Sequence, residues 1–204
     1  GDLTRYAPAF GGGFYDPASG QALLDTAQNL RALTYLADTR RALGIDKVQR
    51  SDSGLKSTGG ANWSFIDGSF SIVLDGEWRV QQLAQYAPTL DYEVAPLPPP
   101  IGGKTLASFV VPDHLTIPAG AKHAAGAWEF VKYWSGLDHA EPAAKFNVSF
   151  GRLPTSPRMA HSPDYQAYLR KFPKYNTFVE LAASQNLVAT PPVPYQMFLM
   201  DRIH

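Results

Sequence analysis

The run PLPPPIGG, Pro96 to Gly103, constrains this chain more than any other stretch. Its prolines remove backbone donors and its glycines add backbone freedom, so neither a helix nor a strand ladder continues through it. Regular structure has to be built on either side. Upstream, Leu24, Ala27, Leu30, Leu33, Tyr35 and Leu36 are spaced as on an amphipathic helix, with Thr26 as N-cap and Gly44 as stop. The polar stretch from Arg50 to Gly60 reads as a loop. Phe70 to Asp75 and Asp91 to Leu97 read as strands bounded by Gly and Pro, with a short helix between them at Arg79 to Tyr86.

Downstream, Ser108 to Ile117 is a further strand-like run. It leads into AAGAWEFVKYWSG, where Trp128, Val131 and Trp134 recur at helical spacing between His123 as N-cap and Gly136 as stop. Helices follow at Asp138 to Phe146 and at Pro163 to Lys171, the second started by Ser162 with Pro163 in its first position. A last pair is expected at Tyr175 to Ser184 and from Pro194 onward. Strands alternating with helices make an α/β or mixed α+β architecture.

Composition narrows the function. Eighteen Lys plus Arg balance eighteen Asp plus Glu, and the charges are interspersed. A nucleic-acid or anionic-membrane surface needs a concentrated basic patch, so neither partner is expected. Cysteine is absent, which removes both a disulfide framework and thiolate metal sites. GDLTRYAPAF lacks the basic and apolar regions of a signal peptide and reads as a cut through a larger protein.

Several motifs together resemble the maltose-binding-protein-like family of periplasmic solute receptors, in its C-terminal half. FIDGSFSIVLDGEW is similar to that family's strand ending in Gly-x-Trp, and DYEVAPLPPPIGGK to its strand ending in a Leu-Pro turn. TIPAGAKHAAGAWEFVKYWSG resembles its Ile-Pro run into a Trp-Glu-Phe helix. GGGFYDPASG, GRLPTSPR and PPVPYQ match further landmarks, so the likeness spans nearly the whole chain.

The resemblance implies the C-terminal lobe of a type II periplasmic-binding-protein fold, a mixed sheet flanked by helices, plus a helical segment of the other lobe. Residues 1–112 and 173–204 would form the C-terminal lobe, and 113–172 a segment completing the N-terminal one. Without its partners that segment would leave Trp128 and Trp134 exposed, to be covered by the missing lobe or a second chain. The implied function is an extracytoplasmic receptor that closes two lobes on a carbohydrate or polyol and delivers it to the permease subunits of an ABC transporter. The implied location is periplasmic or extracellular, with a lipoprotein anchor on the full-length protein, and no cofactor is implied.

Sugars present apolar C–H faces ringed by hydroxyls, so a receptor needs flat aromatic platforms with polar groups in the ring plane. Trp78 matches the family's Gly-x-Trp tryptophan and is either such a platform or a core tryptophan; its place just after a strand favours the platform. Asp75 and Glu77 flank it as hydroxyl acceptors or as plain solvated carboxylates. Phe14 or Tyr15 would line the cleft, beside glycines that read as a flexible surface turn. Trp63 is expected in the core. Tyr195 and Gln196 match a position at the cleft mouth, and Arg152 either reaches the ligand or holds a hinge carbonyl, the second being favoured. Phe109 would supply an aromatic where relatives follow theirs with a Gly-Gly pair; here SFVVPDH narrows the approach. The PPVPYQMFLMDRIH end lacks the tryptophan of maltose binders.

Catalytic patterns are missing. There is no Gly-x-Ser-x-Gly elbow, P-loop or dinucleotide fingerprint, and His114, His123, His139, His161 and His204 lack the i, i+4 spacing that sets two imidazoles on one helix face. The expectation is therefore no enzyme, no catalytic residues and no metal. Two rival readings remain. One is a carbohydrate-active enzyme using Asp75 and Glu77, which as i and i+2 would stand closer than glycosidase carboxylates usually do. The other is a non-catalytic interaction module, in which the aromatics are core and interface.

Overall fold

The computed structural model describes residues 3–54 and 60–203. In chain order the elements are α1 (Leu3–Tyr6), a 3-10 turn (Ala7–Phe10), β1 (Tyr15–Asp16), β2 (Gln21–Ala22), α2 (Ala27–Leu43), α3 (Ile45–Gly54), α4 (Trp78–Tyr86), β3 (Ser108–Val110), α5 (Ala124–Ser135), α6 (Ala140–Ser149), α7 (Pro157–Ala160), α8 (Pro163–Lys171), α9 (Asn176–Ala182), β4 (Leu187–Ala189) and α10 (Gln196–Ile203). Among the described residues the strands form two small sheets: β1 and β2 antiparallel, β3 and β4 parallel with Phe109 opposite Val188. The fold is mixed α/β and rich in helix, as expected of a periplasmic-binding-protein fold.

Helix ends follow local chemistry. The Thr26 hydroxyl accepts the Asn29 amide at 3.2 Å, one of the donors a helix start leaves unpaired, and Gly44 ends α2 at φ +87°. Ser162 caps α8 through the Tyr165 amide, with Pro163 in the first position. Gly136 stops α5 in the left-handed conformation, although the His123 side chain makes no capping bond.

The strands depart from expectation. Phe70 to Asp75 and Asp91 to Leu97 join no ladder among the described residues. A strand exists only where a neighbour takes up its backbone groups, and here Ile72 stays 88% exposed instead of covering a core. Of Ser108 to Ile117, only Ser108 to Val110 pairs; Pro112 and Pro118 deprive the remainder of donors. Arg50 to Gly54, expected as loop, continues α3, because serines lower helix propensity by only roughly half a kcal/mol each. The rest of that expected loop, 55–59, lies outside the described residues.

Compactness divides the chain into two units. The first comprises the described residues of Gly1–Leu55, Ala95–Pro112 and Glu180–His204, and the second those of Lys56–Val94 and Asp113–Val179. Residues 60–94, expected in one lobe with residues 1–54, thus group with 113–179.

In the first unit Ala7, Phe14 and Ala32 form a core backed by Leu3, Phe10, Phe109 and Ile203. Buried Asn29 on α2 donates from Nδ2 to the carbonyls of Gly13 (2.9 Å) and Leu23 (2.7 Å), tying the glycine loop to the helix. A Cβ on Gly12 would lie 2.2 Å from Asn29 Oδ1. The glycine loop, expected as a flexible turn, is therefore held at Gly12 by close packing.

In the second unit Val80, Tyr165, Tyr168 and Tyr175 make the core, and Ala143, Ala144 and Met159 form a smaller cluster. Trp63 is buried, as expected of a core residue. On α5, Trp128 is exposed with Phe130 and Tyr133, whereas Trp134 is shielded by Phe146, ring centroids 4.3 Å apart. No described helix is long and apolar enough to cross a membrane.

Candidate functional site

The turn before α4 is built by Asp75. Its Oδ1 accepts the Gly76 amide at 2.9 Å and its Oδ2 accepts Arg79 Nε at 2.7 Å. Arg79 in turn donates to Gln82 Oε1 at 2.8 Å and lays its guanidinium 4.1 Å from the centroid of the Trp63 ring. One carboxylate thus fixes the turn and, through Arg79, anchors it to the core. Asp75, expected as a ligand acceptor, has both oxygens engaged in the turn.

On that turn Trp78 opens α4 and keeps 46% of its surface exposed. Its six-membered ring lies against Gly76: a Cβ there would fall 2.0 Å from Cζ3 and 2.2 Å from Cη2. The Gly-x-Trp spacing has a steric reason, since no other residue lets the indole fold back over the turn.

Glu77 occupies the N-cap position of α4 without a capping bond. Burial pushes its carboxyl above the ordinary range; the Arg152 guanidinium pulls it down, and the charges of Asp113 and Asp75 push it further up. Arg152 pairs with Asp113. Of the two roles expected of Arg152, reaching the ligand or holding a hinge carbonyl, neither is among its described bonds; Arg158 donates to the carbonyls of Gly136 at 3.1 Å and Leu137.

Beneath this group sits a tyrosine floor that sequence reasoning missed. Tyr165 donates to Arg152 O and Tyr175 to Gly151 O, each at 2.9 Å, so two hydroxyls hold the turn that carries Arg152. Tyr168 is buried with its hydroxyl unpaired, and burial pushes it up to about 12. Gln81, one turn after Glu77, sets Oε1 2.6 Å from where a Cβ on Gly151 would stand. The only signal in the sequence was tyrosine at Tyr165, Tyr168 and Tyr175, intervals of three and seven on segments read as helix.

The remaining expected residues lie in the first unit. Phe14 is 1% exposed, its ring edge-on to Phe109 at 6.1 Å and 85°, so both aromatics serve the core there. Tyr15, which follows it and opens β1, is half-buried. Tyr195 is 50% exposed, while Gln196 donates from Nε2 to Pro191 O at 2.7 Å and closes the proline turn. The structure therefore brings Asp75, Glu77, Trp78 and Arg152 together, and Phe14 with Phe109. Two open grooves of about 510 and 550 Å³ lie along α2 and at its junction with α3, and none of these residues lines either. Among the described residues no group of side chains could hold a metal ion.

Two solved structures share this fold. CpMnBP1 with mannobiose bound matches 98% of the chain with a TM-score of 0.73 at 21% identity, and CpMnBP1 with mannotriose bound matches 97% with a TM-score of 0.71 at 22% identity. The chain spans about half the length of these proteins, 49% and 48% respectively. No curated protein matches it. Residues 6–173 match the family model described as bacterial extracellular solute-binding protein, a family of binding proteins. The chain, matched over most of its length and sharing the fold of a sugar-bound relative in structure, belongs to the bacterial extracellular solute-binding protein family.

Proposed function

We propose that this chain is part of an extracytoplasmic carbohydrate receptor, and that the indole of Trp78 is its sugar platform. One observation carries the reading: a large aromatic stands 46% exposed on a turn whose glycine and aspartate are devoted to holding it there. An indole in water is a cost unless something covers it, and the C–H face of a pyranose is a cover of the right shape. The mannobiose and mannotriose bound to the structurally similar CpMnBP1 support a neutral oligosaccharide as ligand.

In this reading the whole receptor closes two lobes on the sugar and presents the closed form to an ABC permease. Closure follows only if the sugar makes contacts in the closed state that it lacks in the open one. Residues 113–172 belong to the lobe that the rest of the receptor completes, which covers the apolar face of α5 at Trp128, Phe130 and Tyr133. In this reading the chain is a receptor and not an enzyme, and the engagement of Asp75 by Arg79 and the Gly76 amide in the turn supports that reading over a carboxylate pair with Glu77.

A thermal-shift panel of mono- and oligosaccharides and polyols against the whole receptor tests this. A ligand at about 100 times its Kd adds about 2.7 kcal/mol to the folded state. Mannobiose or mannotriose is expected to raise Tm, with no release of product from aryl glycosides. A panel with no shift, or measurable turnover, would sink the proposal.

A further inference from the structure

Two polar groups of the second unit meet at one glycine. The Tyr168 hydroxyl has no hydrogen-bond partner, in a residue only 6% exposed. Gln81 is half-buried and no described residue bonds its amide, whereas its neighbour Gln82 is committed to Arg79 at 2.8 Å. Both groups face Gly151: a Cβ there would stand 2.6 Å from Gln81 Oε1 and 3.1 Å from the Tyr168 hydroxyl oxygen. Gly151 sits at φ +62°, and its lack of a side chain lets the amide and the phenol approach the same point. A buried hydroxyl without a partner is an exception that calls for a cause, and the acceptor a phenol needs is the carbonyl oxygen beside it.

We infer that Gln81 is a sugar-contacting residue of the Trp78 site and Tyr168 its positioning residue, the phenol donating to Gln81 Oε1 so that Nε2 is left to donate to one hydroxyl of a ring lying on the indole. This rests on the carbohydrate reading above. Trp78 and Gln81 are i and i+3 on α4, about 5–6 Å apart at Cβ, and long side chains on a helix lean toward its N-terminus. Gln81 therefore leans back along α4 toward the residue that carries the indole. Its amide is uncharged and its Nε2 is a donor, the complement of a hydroxyl oxygen at the edge of a stacked ring. A phenol fixed in the core gives that flexible side chain one orientation, which is how a buried group that no ligand touches acts on affinity.

The test is calorimetric titration of the whole receptor with mannobiose and its monodeoxy derivatives, in native protein, Gln81→Met, Tyr168→Phe and the double variant. Gln81→Met keeps the helix propensity of the side chain and removes the amide. It is expected to weaken mannobiose binding about five- to tenfold, the worth of one neutral hydrogen bond, and to abolish the penalty for deleting the one hydroxyl that Nε2 serves. Tyr168→Phe is expected to cost about threefold in the native background and nothing beside Gln81→Met, with Tm unchanged or raised. Should Gln81→Met not fold, the deoxy series on Tyr168→Phe decides: the penalty for one hydroxyl shrinks there and the others hold. A folded Gln81→Met with native affinity overturns the inference and leaves the carbohydrate reading intact. So does a Tyr168→Phe loss that persists beside Gln81→Met, or a deoxy series that neither variant moves. Failure of native protein to bind mannobiose overturns the carbohydrate reading, and the inference with it.

Discussion

The benzo ring of Trp78 rests on Gly76 so closely that a Cβ at that glycine would come within 2.0 Å of Cζ3. The two residues are one device: the glycine is absent of side chain so that the indole can lie back over the turn, and Asp75 clamps that turn through the Gly76 amide. Gly76→Ala must therefore push the ring away. We expect sugar affinity to fall about tenfold, the usual consequence of misplacing one aromatic anchor by an ångström, with Tm changed little because the ring is half in solvent. Titration and tryptophan fluorescence read both effects; native affinity in Gly76→Ala would mean the ring is not held there.

Glu77 makes stability depend on pH in a defined direction. Its carboxyl in the folded protein lies above the unfolded value of 4.5, so its contribution to stability is fully present below that value and is lost as pH rises through the folded one. Glu77→Gln removes this pH dependence. The variant should gain stability relative to native protein as pH is raised from about 4 to neutrality, while the two converge in acid. Melting curves across that range check it, and a constant difference at every pH would contradict it.

The tyrosine floor separates paired from unpaired hydroxyls. Tyr175→Phe strips the donor from Gly151 O inside the core and is expected to cost about 1–2 kcal/mol. Tyr168→Phe deletes a buried hydroxyl that has no partner, so it should be neutral or stabilising. Denaturant unfolding of the two variants gives the comparison, and equal losses would contradict the assignment of the network.

Helices were legible where their ends carried their own signals. Thr26 and Gly44 bracket α2, and Ser162 with Pro163 starts α8, because capping is satisfied within a few residues. Strands were not, since a ladder depends on a partner far along the chain: β3 finds β4 nearly eighty residues later, while Phe70 to Asp75 finds no partner among the described residues. The same distinction governs the site. The closeness of Gly76 to the Trp78 ring was legible in the local Gly-x-Trp spacing, whereas Tyr15 and Phe14 were named together although only Phe14 is buried in the core. That Arg152 pairs with Asp113, that Arg158 holds the Gly136 carbonyl and which tyrosines brace the turn at Gly151 are matters of tertiary packing that spacing does not encode.

Calorimetric titration of the whole receptor with mannobiose or mannotriose, native against Trp78→Ala, tests the central claim most directly. The exposed indole contributes little to the core, so the variant should fold with nearly native Tm. The account predicts saturable binding to the native protein and a loss of about a hundredfold or more in Trp78→Ala, the scale of a central aromatic anchor. Undiminished binding by a folded Trp78→Ala protein would contradict it.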